Sequence, residues 1–227
     1  MKRSMGLAAV LLAFGASAVA AQDANISFFI TSSNPGDGAD LGGLAGADAY
    51  CETLADAAGL PDRTWRAYLS TTGGGGMNAR DRIGDGPWYN HGGTMIARDV
   101  EHLHSNGPNL TKATILTENG DEVNGRGDQP NQHDILTGSL MNGMASGADG
   151  DTTCSDWTSS GEGSALVGHH DRVGGGQNPT SWNEAHGSRG CSLEDLRGTG
   201  GDGRFYCFAT DGPSGGDVLL QFARRGR

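Results

Sequence analysis

Four cysteines, Cys51, Cys154, Cys191 and Cys207, are the residues of this chain whose chemistry is most narrowly set. No two form a C-x-x-C pair, so zinc-ribbon and thioredoxin-type motifs are excluded, and an even number in an oxidising compartment means disulfides. Four cysteines allow three pairings, and the residues alone do not choose among them. Histidines are the second candidate group. His169, His170 and His186 fall between Cys154 and Cys191, with Asp171 beside the pair. Histidines with a carboxylate can hold a transition metal. Adjacent strand residues point to opposite faces, so His169 and His170 reach one ion only if the backbone turns. The reading taken is of structural or surface histidines.

Oxygen ligands are plentiful in the same region. Asp149, Asp151, Glu162 and Asp171 are candidate calcium ligands, Asp149-Gly150-Asp151 having D-x-D spacing. Calcium requires six to eight converging oxygens. Trp157 and Trp182, with Asn183, Glu184 and His186, are candidates for holding a ligand, since sugar faces stack on aromatic rings. No G-x-S-x-G elbow, H-E-x-x-H or P-loop is present, and no catalytic residue is assigned.

Around these residues the chain reads as one exported domain. Lys2-Arg3, an apolar run over Met5–Ala20 and the small-x-small sequence Ala18-Val19-Ala20 form a secretory signal peptide over 1–21. Its removal takes the formal charge from −11 to −13. Such a surface repels nucleic acid and anionic lipid. No later stretch is apolar enough to enter a membrane. The 40 glycines, many beside Asp or Asn, predict an unusual share of ordered loop.

Periodicity predicts a strand over 26–31, a helix over 47–58 with Cys51 on its buried face, and a strand over 64–70. A second helix is predicted over 94–104, short strands over 113–117 and 134–138, and final strands over 205–209 and 218–222. Residues 139–203 are mostly loop, with short apolar pieces at Trp157, 165–167 and Trp182. The class is α+β, with mixed or antiparallel sheets and two helices.

These elements resemble, in order, the endostatin-like branch of the C-type-lectin-like superfamily. The resemblance runs through Ile30-Thr31-Ser32-Ser33-Asn34, Gly42 to Cys51, Trp65 to Ser70, Ala113 to Thr117 with Asn119 to Val123, Leu136 to Ser139, Cys154 to Thr158, Gly190-Cys191 and Phe205 to Phe208. It covers the mature chain as a single domain over 22–227 and extends to bacterial secreted lectin-like proteins. It implies a nested pairing, Cys51 with Cys207 and Cys154 with Cys191. Two tripeptides, Gln129-Pro130-Asn131 and Trp182-Asn183-Glu184, look like calcium-lectin sugar motifs, but the first precedes the strand at 135–138 rather than following it. The resemblance does not carry heparin binding, because no basic cluster is present.

The expectation is therefore a secreted, non-enzymatic binding module, periplasmic or extracellular. It would recognise carbohydrate or an extracellular protein through loops 139–203, with calcium as its one candidate cofactor. The alternatives are a structural or adhesive envelope protein and, further off, a hydrolase built on the histidines of 169–186.

Overall fold

The computed structural model describes residues 25–60, 62–105, 109–147 and 150–211. The expected leader, the strand at 218–222 and Asp149 lie outside them. The described chain is α+β. Its strands are β1 (Phe28–Ile30), β2 (Trp65–Ala67), β3 (Trp88–Tyr89), β4 (Met95–Ala97), β5 (Asp134–Leu136), β6 (Leu166–His169), β7 (His186–Gly187) and β8 (Gly201–Ala209). Three right-handed α-helices accompany them among the described residues, α1 (Gly43–Ala57), α2 (Val100–His104) and α3 (Leu193–Thr199), with a 3-10 turn at Ala79–Asp81.

The long strand β8 organises the sheet. Its C-terminal half pairs antiparallel with β1 on one edge and with β2 on the other. Its N-terminal half pairs parallel with β5, which continues antiparallel through β6 to the edge strand β7. Strand alternation explains why both faces are apolar. Phe205 and Cys207 face α1 with Phe29 and Trp65, while Tyr206 and Phe208 face the other way with Phe28, Ile30, Tyr68, Trp88 and Trp182. No helix among the described residues is long and apolar enough to cross a membrane.

Both disulfides are nested. Cys51 on α1 bonds Cys207 on β8, and Cys154 bonds Cys191. They close loops of 156 and 37 residues. In the chain-entropy picture such loops are worth about 5 and about 4 kcal/mol as upper figures.

Three local expectations change. The periodic stretch 94–104 splits, because Met95–Ala97 pairs with Trp88–Tyr89 and only Val100–His104 is helical, capped by the Asp99 side chain on His102 N–H. The stretch 113–117 contributes isolated bridges rather than a strand. Helix α3, where Ser192 caps the Asp195 N–H, has too short an apolar face to register in the sequence.

The segment Cys154–Trp157 is one turn of left-handed helix, with φ of 48, 55, 56 and 68° on four non-glycine residues. Left-handed backbone costs L-residues about 1–2 kcal/mol each. The turn is held from three sides. The Cys154–Cys191 bond fixes one end, and the Trp157 Nε1–H donates to Ser70 O at 2.7 Å at the other. Between them the Asp156 carboxylate accepts from Thr72 and Gly73 N–H. Ser155 is exposed and is tied through its backbone: its N–H donates to Asp151 and its carbonyl accepts from Thr158 Oγ1. Ser155→Gly should therefore raise the stability by about 1 kcal/mol, after the added unfolded-chain freedom of glycine is offset. Chemical denaturation checks this; a loss of stability would show that the turn is not strained at Ser155.

Candidate metal centre

Strands β5, β6 and β7 bring together residues that are far apart in sequence. Asp134 opens β5 and lies directly opposite His169, the last residue of β6. His186 opens β7 opposite Val167, two residues before His169. Side chains two apart on a strand share a face, and so do directly opposed residues, so Asp134, His169 and His186 project from one side of the sheet. His133, just before β5, stacks its ring on His169, with centroids 4.4 Å apart and planes 14° from parallel.

Their polar atoms converge. Asp134 Oδ1 lies 3.2 Å from His133 Nε2, 3.2 Å from His169 Nε2 and 3.6 Å from His186 Nε2. His169 Nε2 and His186 Nε2 are 3.0 Å apart. His133, Asp134 and His169 form the buried heart of the cluster.

The outer nitrogens fix the tautomers. His169 Nδ1 faces Pro179 O at 2.8 Å, His133 Nδ1 faces Val173 O at 3.1 Å, and His186 Nδ1 faces Gly187 O at 3.1 Å. A carbonyl only accepts, so each Nδ1 carries a proton, and in the neutral ring each Nε2 presents a lone pair to the centre. The lone pairs of His133 and His169 thus meet the carboxylate at one point, with that of His186 beside His169 and Asp134. Asp134 is 3 % exposed, and neither of its oxygens has a hydrogen-bond partner. A buried carboxylate in that position carries a large desolvation penalty unless a cation answers it.

The local field agrees. Burial lowers the pKa of His169, but the Asp134 carboxylate, the Pro179 carbonyl and the Asp171 charge together raise it, so positive charge is favoured beside Asp134. Asp171 is also anionic. Burial raises its pKa, but the contact with His133 and the N–H groups of Arg126 and Val173 hold it well below the usual carboxylate range. It lies 3.4 Å from His133 Nδ1, which sets up a carboxylate–histidine relay behind the ligand.

Glycines leave room for the ligands. A Cβ on Gly200, where φ is +139°, would sit 3.0 Å from His133 Nε2 and 3.1 Å from Asp134 Oδ2. A Cβ on Gly174 would strike the His169 ring at 2.2 Å.

The residues singled out from sequence divide sharply. Of the histidines, His169 and His186 enter the centre. His170 turns to the other side of β6, where burial lowers its pKa and Nε2 faces Asn124 O at 3.1 Å. Of the calcium candidates, Asp171 backs His133, Asp151 caps the left-handed turn through Thr153 and Ser155 N–H, and Glu162 is exposed. No calcium-type cluster of these residues forms among the described residues.

The two tryptophans are core rather than platforms for sugar. Trp157 is 0 % exposed and Trp182 is 2 % exposed, packed on Tyr68 and Tyr206. The buried Asn183 amide donates to Tyr68 Oη, Leu140 O and Met141 O, and Glu184 accepts from Met141 N–H. Trp182-Asn183-Glu184 thus ties its own loop to the turn at 140–141.

His133 and Asp134 escape the sequence reading. Asp134 looks like any strand-opening residue until β5 is paired in register with β6. A His-Asp dipeptide at the head of a strand, met by a histidine closing another, is the signal that would have found them.

No protein-family model matches the chain, and no curated protein matches it.

Two substitutions probe the supports of the centre. Asp171→Asn should weaken metal binding about 10–100-fold by loosening the His133 tautomer. Gly200→Ala should weaken it at least as much, because the new methyl presses on two ligands. Chelator competition titrations check both; unchanged affinity in Gly200→Ala would show that the ion does not sit beside His133 and Asp134.

Proposed function

We propose that this chain is an extracytoplasmic, non-enzymatic scaffold of C-type-lectin-like type that holds a first-row transition metal, zinc foremost, at His133, Asp134 and His169. The observation that carries this reading is the convergence of imidazole lone pairs on a buried, otherwise unpartnered Asp134 carboxylate. Imidazole nitrogen suits zinc, copper, iron and nickel, whereas calcium takes oxygen. The ion's part is structural. It joins β5 to β6 and shapes the loops between Gly138 and Gly203, whose outer faces meet an extracellular partner, carbohydrate or protein.

Two nested disulfides support an oxidising compartment. The lectin-like reading is supported by that nesting and by the antiparallel pairing of β1 with β8, which brings the two ends of the domain together. With Trp157 and Trp182 in the core, a sugar would be held by polar side chains and backbone rather than by ring stacking.

Metal content and melting temperature test the proposal together. Metal-free protein should take up one equivalent of zinc. At a hundredfold excess over Kd, zinc should stabilise the fold by about 2.7 kcal/mol, or roughly 5–10 °C. Calcium should leave the melting temperature unmoved, and His169→Ala should abolish the zinc response. A wild-type protein indifferent to zinc, copper, nickel and iron would overturn the reading.

A further inference from the structure

His186 differs from the other residues of the centre in two ways. Its side chain is 25 % exposed, while those of His133, Asp134 and His169 are 4 %, 2 % and 0 % exposed. It also stands on β7, an edge strand of two residues held to β6 by two residue pairs. Its ring nevertheless meets the His169 ring at a centroid distance of 5.0 Å. Its Nε2 is 3.0 Å from His169 Nε2 and 3.6 Å from Asp134 Oδ1. Metal–nitrogen bonds of 2.0–2.1 Å arranged tetrahedrally place neighbouring ligand atoms about 3.3–3.4 Å apart, the range these separations straddle.

The number of ligands decides what such a centre is. Two histidines and one carboxylate alone leave coordination positions open, the pattern of non-haem iron sites that admit a reactant. A third histidine makes a closed set of four protein ligands, three nitrogens and one oxygen, and closure is what separates a structural zinc site from a catalytic one. We propose that His186 is the fourth ligand and the exchangeable one: it closes the site and selects tetrahedral zinc, and by leaving it opens the path by which the ion enters and departs. This rests on the metal-binding reading above. The path follows from placement, because withdrawing His186 disturbs a two-residue edge strand beside Gly176, whereas withdrawing any other ligand disturbs β5, the residue leading into it, or β6 within the sheet.

Cobalt(II) reports the coordination number through its visible spectrum, intense when four-coordinate and weak when five- or six-coordinate. The wild-type protein should give the intense spectrum. His186→Ala, with both disulfides intact, should still bind one equivalent, but with a weak spectrum, tenfold or more lower affinity and at least tenfold faster loss of the ion to a chelator. His186→Gln serves as a second variant should alanine perturb folding. In wild-type protein, zinc should protect His186 from diethyl pyrocarbonate, read by peptide mass spectrometry. If the wild type binds cobalt but His186→Ala matches it in spectrum and release rate, His186 is not a ligand and the three-residue site stands alone. If the wild type binds no metal, both readings fall.

Discussion

A carboxylate buried at the seam of two strands, with imidazole lone pairs turned toward it, is not a stable arrangement by itself. Each Nδ1 proton is committed to a backbone carbonyl, so none of the three rings, when neutral, turns an N–H toward Asp134. The geometry is stable once a cation sits at the meeting point. The surroundings are arranged around that need: the strand register sets the ligands opposite one another, Gly200 and Gly174 clear the space, and Asp171 stands behind His133.

The scaffold supplies that register under difficult terms. A chain with 40 glycines in 227 residues loses much backbone entropy on folding and has long segments with little to bury. The Cys51–Cys207 bond fastens α1 to the central strand β8, and Cys154–Cys191 closes the segment that carries β6 and β7. A metal tying β5 to β6, and β7 to both, would act as a third staple where neither disulfide reaches. The left-handed turn at Cys154–Trp157 fits the same division of labour. Its backbone cost is met by a disulfide, a buried indole and an aspartate accepting backbone N–H groups from the 72–73 segment.

What the sequence discloses follows from the range of the interaction. The amphipathic spacing around Cys51, the apolar alternation at Trp65–Ala67 and the Phe205–Phe208 run are local signals, and those elements form where expected, within a few residues. The nested pairing came from the resemblance and not from spacing. The stretch 94–104 misleads because Ile96 satisfies a helical period while its backbone pairs with β3. The centre is the least legible part, because it is a cross-strand feature: His133-Asp134 and His186 are far apart along the chain and meet only through β6. Polar residue types tempt toward calcium and sugar, yet Asn183, Trp157 and Trp182 are consumed by packing and internal hydrogen bonds. Burial, which decides between a binding ring and a core ring, cannot be read from a tryptophan's position in a loop-rich sequence.

X-ray absorption at the zinc edge, on zinc-loaded protein, reads the coordination of the proposed centre. A metal held by His133, Asp134, His169 and His186 should appear as one tightly held ion with a first shell of four nitrogen and oxygen atoms at about 2.0–2.1 Å and the outer-shell signature of several imidazoles. A six-coordinate oxygen shell without imidazole scattering, or zinc that does not survive dialysis, would contradict that coordination.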